Sequence, residues 1–201
     1  MKLYFAPQTR ATRPRWMLEE LEIPYELVRL DLKKGEHKTP EYLKIHPLGA
    51  VPALVDGETT LIESAAILMY LADKFPEKGL APAVGSPERG HYYQWMLYTM
   101  VNLEPPVLDV FQHTVMLPEG ERKPEVVDAA RAKWEKVMAP VEATLEGKTW
   151  LLGEQFTAAD VLLGSITTWA NFMGLLAGFP NVIAYNTRVS ARPGFRRGRA
   201  P

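Results

Sequence analysis

Apolar and polar residues alternate along the first eighty positions in a way that changes period several times. Lys2 to Phe5 is a short apolar run closed by Pro7, which reads as a strand. Gln8 to Arg13 is a polar, turn-like loop. Pro14 suits the first turn of a helix, where its missing N–H is not needed. Trp16, Met17 and Leu21 give that helix an apolar stripe, Glu19 and Glu20 face outward, and Ile23-Pro24 ends it. Tyr25 to Asp31 alternates with period two, as a second strand does. A strand–helix–strand unit of this length sets its strands parallel through a right-handed crossover. A polar stretch, Lys33 to His46, holds a short helix around Tyr42 and Leu43. Val51 to Val55 is an apolar strand opening on a proline, Asp56-Gly57 is a hairpin turn, and Thr59 to Ile62 returns antiparallel. Glu63-Ser64 then starts a helix carrying Ile67, Leu68, Leu71 and Phe75. The predicted order is β-α-β-α-β-β-α, a mixed four-stranded sheet covered by helices.

Beyond residue 86 only helical spacing remains. Ser86-Pro87-Glu88 supplies an N-cap, a first-turn proline and a first-turn acid. The helix that follows is long, and Pro105-Pro106 is expected to kink it. Pro124 starts another, with Val127, Ala130, Trp134, Met138, Val141 and Leu145 on its apolar face and a bend expected at Pro140. Thr157-Ala-Ala-Asp160 is a capping box. Val161, Leu162, Ile166, Trp169, Phe172 and Met173 make the next helix apolar nearly all round, which predicts the central helix of a bundle. Leu80 to Gly85 cannot continue a helix and is the expected linker. Two domains are therefore expected, over residues 1–79 and 86–201, the second an all-helical bundle.

Composition narrows the function classes. Hydrophobic residues are 47% of the chain and charged ones 23%, with a net charge of −1. Acids and bases are interspersed, so neither nucleic acid nor a membrane is an expected partner. The one basic cluster, Arg196, Arg197 and Arg199, reads as a solvated tail. There is no cysteine, so no disulfide, protein thiolate or Cys-ligated metal can form. That fits a reducing, cytoplasmic setting. His37, His46, His91 and His113 lack metal-ligand spacing, and no metal is expected. No apolar run of about 18 residues exists that would span a membrane.

Three short segments carry candidate chemistry. A cis Val51–Pro52 bond would turn the Val51 backbone outward, to pair with an extended ligand; a trans bond would merely end a loop. Glu63-Ser64 lies at a strand-to-helix junction. The helix start attracts a carboxylate, the Ser64 N–H and hydroxyl can donate to it, and Glu63 can pair with an ammonium. That combination fits an α-amino-acid head group, although either residue can equally be a plain cap. His37 and Lys38 can hold a second carboxylate, or simply be solvated. In the loop Thr9-Arg10-Ala11-Thr12-Arg13, the Thr9 or Thr12 hydroxyl can donate to a thiolate and lower that thiol's pKa, with Arg10 assisting, or can serve only the turn. Tyr92, Trp95 and Tyr98 form an aromatic stripe that reads more readily as core than as a pocket.

These segments together resemble the cytosolic glutathione transferases, nearest the bacterial theta-, zeta- and beta-like members. The likeness rests on Met1-Lys-Leu-Tyr4, Arg13-Pro-Arg-Trp-Met-Leu-Glu-Glu20 and Ile23-Pro-Tyr-Glu26. It continues through His46-Pro-Leu-Gly49 (with His46 in an asparagine's place), Val51-Pro-Ala-Leu54, Glu63-Ser-Ala-Ala-Ile67, Phe156-Thr-Ala-Ala-Asp160 and Arg192-Pro-Gly-Phe195. The resemblance implies a thioredoxin-like N-terminal domain, an all-helical C-terminal domain and a homodimer. It implies that Pro52 is cis and that the Val51 backbone pairs with the cysteinyl part of glutathione. Glu63 and Ser64 would take the γ-glutamyl end, and His37 and Lys38 would lie near the glycine carboxylate. The family's activating Ser matches Thr9 here, and the Cys of beta-type members matches Arg10; Thr12 is a nearby rival. Tyr98, Asn102, Phe111 and Trp169 are the implied electrophile pocket. The implied activity is conjugation of the glutathione thiolate to a hydrophobic electrophile, in detoxification. Glutathione-dependent isomerisation, peroxide reduction or dehalogenation, and non-catalytic binding on the same fold, are the alternatives.

Overall fold

A computed structural model describes residues 1–200. The chain divides into two compact units, 1–81 together with the residues from Ala191 onward, and 82–190.

In the first unit the strands are β1 (Lys2–Phe5), β2 (Glu26–Arg29), β3 (Ala53–Asp56) and β4 (Thr59–Ile62), in the order β2-β1-β3-β4. β1 runs parallel to β2, with Leu3 opposite Leu27, and antiparallel to β3, with Leu3 opposite Leu54. The parallel pair is joined by α1 (Thr12–Leu21), as the short crossover requires. Alternate residues of the strands point to one face, so Leu3, Phe5 and Leu54 become fully buried. Trp16, Met17, Leu18 and Leu21 of α1, and Ile67, Leu68 and Leu71 of α3 (Ser64–Lys74), fill the same core. A short α2 (Pro40–Leu43) is capped by Thr39, whose hydroxyl accepts from the Tyr42 N–H. The order matches the predicted one, and the domain is thioredoxin-like.

The arginine-rich tail keeps Arg196, Arg197 and Arg199 exposed, as expected, but the segment that carries them is docked rather than loose. After Pro193, a short α9 (Pro193–Gly198) packs on α1 within the first unit, away from the helical half to which residues 191–201 were assigned. Phe195 meets Trp16 edge-on at 5.0 Å. Arg192 makes a two-pronged pair with Glu20 at 2.9 and 2.7 Å, and Arg197 pairs with Glu19 at 2.7 Å. Such bidentate geometry is the strong form of the guanidinium–carboxylate contact. Gly198 makes the close approach possible. A Cβ there would lie 2.5 Å from the Trp16 Cα, so no larger residue fits without moving the helix. Glu19 and Glu20, which the helical pattern turned outward, face the tail instead.

The second unit is helical. α4 (Pro87–Tyr98) starts on Ser86, whose hydroxyl accepts from the Arg89 N–H at 3.2 Å. The expected disruption at Pro105-Pro106 takes the form of a wider, π-type turn over Thr99–Leu103, after which α5 (Glu104–Phe111) restarts with both prolines in its first turn. There a proline's missing N–H leaves no broken bond. α6 (Pro124–Leu145) runs on through Pro140. α7 (Ala158–Phe172) is buried along most of its length, as its apolar sequence predicts. Its start is the capping box. The Asp160 carboxylate accepts from the Thr157 N–H at 2.8 Å, the Thr157 hydroxyl at 3.1 Å, the Leu151 N–H at 2.8 Å and the Tyr185 hydroxyl at 3.1 Å. Asp160 is fully buried, and burial pushes its carboxyl up to about 6 against the downward pull of these donors. α8 (Pro180–Ala191) is capped by Glu142, which accepts from the N–H groups of Asn181 and Val182 at 2.9 Å each. Among the described residues no helix is long and apolar enough to cross a membrane, and no His/Asp/Glu cluster could hold a metal ion.

Candidate functional site

The site is built in the first unit, around the strand that opens with a proline. The Val51–Pro52 bond is cis. β3 and β4 pair in a register that sets Ala53 opposite Ile62. The ladder ends at that pair, with Pro52 just before β3 and Glu63 just after β4. The proline thus stops the ladder where α3 begins. This leaves the backbone of residues 50–52 outside the sheet. A depression of about 340 Å³ opens there, lined by Gln8, Thr9, Arg10, Leu32, His37, Gly49, Ala50 and Val51.

Gly49 helps to form the depression. Its φ of +55° is one that side chains disfavour, and a Cβ there would lie 2.5 Å from the His37 carbonyl oxygen. The Tyr42 hydroxyl donates to the Ala50 carbonyl at 2.5 Å and fixes the approach to the cis bond. Burial pushes the Tyr42 hydroxyl up to about 12, so it stays a donor at neutral pH.

At the start of α3, Glu63 is exposed with φ +70° and ψ 111°, a conformation that costs a non-glycine residue on the order of 1 kcal/mol. Ser64 is buried at 4% exposure, and no side chain caps the helix. The first-turn N–H groups are therefore available, and they carry the positive end of the helix dipole. The Ser64 hydroxyl accepts from the Arg13 guanidinium at 3.1 Å, and its own proton remains for a further acceptor. An exposed carboxylate, a hydroxyl donor and an open helix start thus sit on consecutive residues. His46 is buried beside them, stacked on Tyr42 at 6.4 Å. Burial holds its imidazole below the ordinary histidine range, while the Glu63 charge pulls it back up.

The loop before α1 differs from this open helix start. The Thr9 hydroxyl donates to the Ala6 carbonyl at 2.7 Å and accepts from the Ala11 N–H at 3.2 Å. The Thr12 hydroxyl donates to the Thr9 carbonyl at 2.9 Å. Both hydroxyl protons are thus spent on backbone, and the loop satisfies its own helix start. Of the residues singled out from the sequence, the depression brings together Thr9, Arg10, His37 and Val51. Pro52, Glu63 and Ser64 do not line it; Pro52 follows the lining residue Val51, and Glu63 and Ser64 follow β4. Lys38 is not among the lining residues; its ammonium donates to the Leu48 carbonyl at 2.9 Å. Thr12 is not among the lining residues.

The four aromatic and polar positions expected to hold an electrophile all lie in the second unit. Phe111 and Trp169 meet edge-on at 5.5 Å. The Tyr98 hydroxyl donates to the Val137 carbonyl at 2.8 Å, which ties it to α6, and its neighbours Tyr92 and Trp95 are core residues. Asn102 lies in the wide turn.

Residues 1–73 match the family model for the glutathione S-transferase N-terminal domain, and residues 91–193 match that for the C-terminal domain. The chain belongs to the glutathione S-transferase family. It is 32% identical over 192 residues to glutathione S-transferase GST-4.5 of Xanthomonas campestris pv. campestris, covering 95% of this chain and 93% of that one. Its fold superposes on a ternary complex of BphK, a bacterial member of the family, with a TM-score of 0.86, 32% identity and 99% and 98% of the two chains covered. A sphingomonad glutathione S-transferase complexed with glutathione gives a TM-score of 0.84 at 28% identity, covering 99% and 97%. This transferase is thus an enzyme with glutathione as its co-substrate, on the two-domain architecture that its sequence predicted.

Arg13 is the site residue that sequence reasoning missed. The sequence places it at the end of the polar loop and in a matching segment but gives it no role, because its partner lies 51 positions away. No periodicity within α1 signals that contact.

Proposed function

We propose that the glutathione thiolate, held along residues 50–52 with its amino-acid head at Glu63 and Ser64, attacks an electrophilic carbon of a hydrophobic substrate. The new bond is carbon–sulfur, the bond to the leaving group breaks, and the thiol proton passes to water. The observation that carries this reading is the run of three features. A cis-proline strand start frees the Val51 backbone, an open helix start with Ser64 suits a carboxylate, and the exposed Glu63 suits an ammonium. Glutathione carries an amino-acid head, an extended backbone and a far carboxylate in the matching order, with His37 nearest the last.

For activation, the reading favours Thr9 and Arg10 over Thr12, because both line the depression. Arg10 supplies positive potential for a thiolate. The Thr9 hydroxyl must swing from the Ala6 carbonyl to reach the sulfur, exchanging one hydrogen bond for a charge-assisted one. A hydrogen bond to a charged group contributes about 1.5–3 kcal/mol, or about 10- to 100-fold. Thr9→Val is therefore expected to lower kcat/KM for an aryl halide by about that factor, while Thr9→Ser stays within about threefold. Turnover unaffected by Thr9→Val would remove Thr9 from the chemistry and leave Arg10 as the activating group. A thiolate absorbance band that grows when glutathione is added near pH 7 is the accompanying sign of an enzyme rather than a binder.

Phe111 and Trp169 are the better-supported electrophile contacts, since the Tyr98 hydroxyl is already committed. A homodimer is supported by Tyr93, Leu97 and Val101, exposed at 43%, 63% and 64% and spaced four apart along one face that begins in α4. A second copy of the chain is the partner proposed for that face, and Leu97→Glu is expected to leave monomers in sedimentation. A monomeric wild-type protein at micromolar concentration would overturn this. The cytoplasm, where glutathione is kept reduced, is the proposed setting, and detoxification the proposed role.

A further inference from the structure

Arg13 is 3% exposed, yet it carries a charge that cannot be neutralised at any physiological pH. A buried guanidinium is retained where its donors are used. One of them, Nη1, reaches across 51 residues from α1 to the Ser64 Oγ, and the bond is buried. Ser64 is the first residue of α3, where no side-chain cap is present.

Two consequences follow from that one contact. A serine hydroxyl alone rotates freely and can turn either its proton or its lone pairs toward a ligand. Once an N–H donor occupies a lone pair of the Ser64 oxygen, the remaining proton points elsewhere, and Ser64 becomes a committed donor. In addition, the guanidinium places positive charge beside the partial one at the helix start.

We infer that Arg13 is a positioning residue for the α-carboxylate of the glutathione head group, acting through Ser64. It fixes the direction of the Ser64 proton and strengthens the field that holds the anion. The inference rests on the proposed placement of that head group at Glu63 and Ser64. Arg13 lies at the start of the helix whose other end is gripped by the tail through Glu19, Glu20 and Trp16. Its reach to Ser64 is thereby held between two fixed points.

The test is a comparison of two ligands. One is glutathione. The other is its analogue with a 4-aminobutyryl head, which lacks the α-carboxylate. Calorimetry on the wild-type protein is expected to give a Kd ratio, analogue over glutathione, of about 50, consistent with loss of one charge-assisted site. In Arg13→Met that ratio falls to about 5, because only the glutathione arm weakens. The Kd of the analogue itself changes by less than about twofold. A merely structural loss would weaken both ligands alike and leave the ratio standing. In a Ser64→Ala background, Arg13→Met is expected to add less than about twofold, since the route through the hydroxyl is already gone. Arg13→Gln, which keeps a donor for Ser64 without the charge, carries the same comparison should Arg13→Met not fold, with an expected ratio of about 15. A large wild-type ratio that neither variant lowers would overturn the role of Arg13 alone. A wild-type ratio near one would overturn the head-group placement, and the role of Arg13 with it.

Discussion

Asp160→Ala is expected to destabilise the protein by about 4 kcal/mol, a large share of the 5–15 kcal/mol available to a folded domain. The carboxylate satisfies the N–H groups of Leu151 and Thr157 and the hydroxyls of Thr157 and Tyr185. Alanine removes the helix cap, worth about 1 kcal/mol. It also leaves buried donors without an acceptor, at about 1–3 kcal/mol for such a group. Urea unfolding followed by circular dichroism gives the number, and a loss below about 1 kcal/mol would mean that the cluster relaxes around the gap. The pH dependence carries a definite sign. The folded-state carboxyl, raised to about 6, lies above its unfolded value, so its contribution to stability is full below the unfolded pKa and is lost as pH rises through 6. The stability gap between the wild type and Asp160→Asn should therefore widen, by about 1 kcal/mol, between pH 7 and pH 5.

The second large effect runs in opposite directions for stability and binding. Glu63 holds φ +70° without being a glycine. Glu63→Gly relieves that conformation and, less the added freedom of the unfolded chain, should raise stability by up to about 0.5 kcal/mol. The same change removes the carboxylate proposed to meet the glutathione ammonium, and should weaken glutathione binding by about 100-fold. A melting curve and a titration on one sample test both halves. Unchanged binding would take Glu63 out of the site, and a fall in stability would mean that the carboxylate supports the fold as well. A residue kept in a costly conformation, with no fold reason to be there, points to selection for binding.

Much of this architecture was legible because its signals are local. The Asp56-Gly57 turn, the proline at the start of β3 and the capping box at α7 each lie within a few consecutive residues, and each became the predicted element. Glu63 and Ser64 were legible for the same reason, since a strand-to-helix junction brings adjacent residues to one place. What the sequence hid depends on distant partners. The docking of the tail was hidden because Glu20 and Glu19, the partners of Arg192 and Arg197, lie on a helix at the far end of the chain. Arg13 read as the last residue of the polar loop before the helix. Thr9 lines the depression, but the bond of its hydroxyl to the Ala6 carbonyl is a matter of rotamer that no residue pattern encodes.

The docking of α9 on α1 also constrains the order of events during synthesis. A nascent chain that has delivered its sheet and first three helices holds the local Trp16–Glu20 and Tyr25–Glu19 bonds but still lacks the tail partners Phe195, Arg192 and Arg197. Those arrive only after the whole helical unit has left the ribosome. The ligand-binding half should therefore stay open to chaperones and proteases through most of translation, closing late. A stalled or clipped product would then carry a sheet with an unclasped first helix.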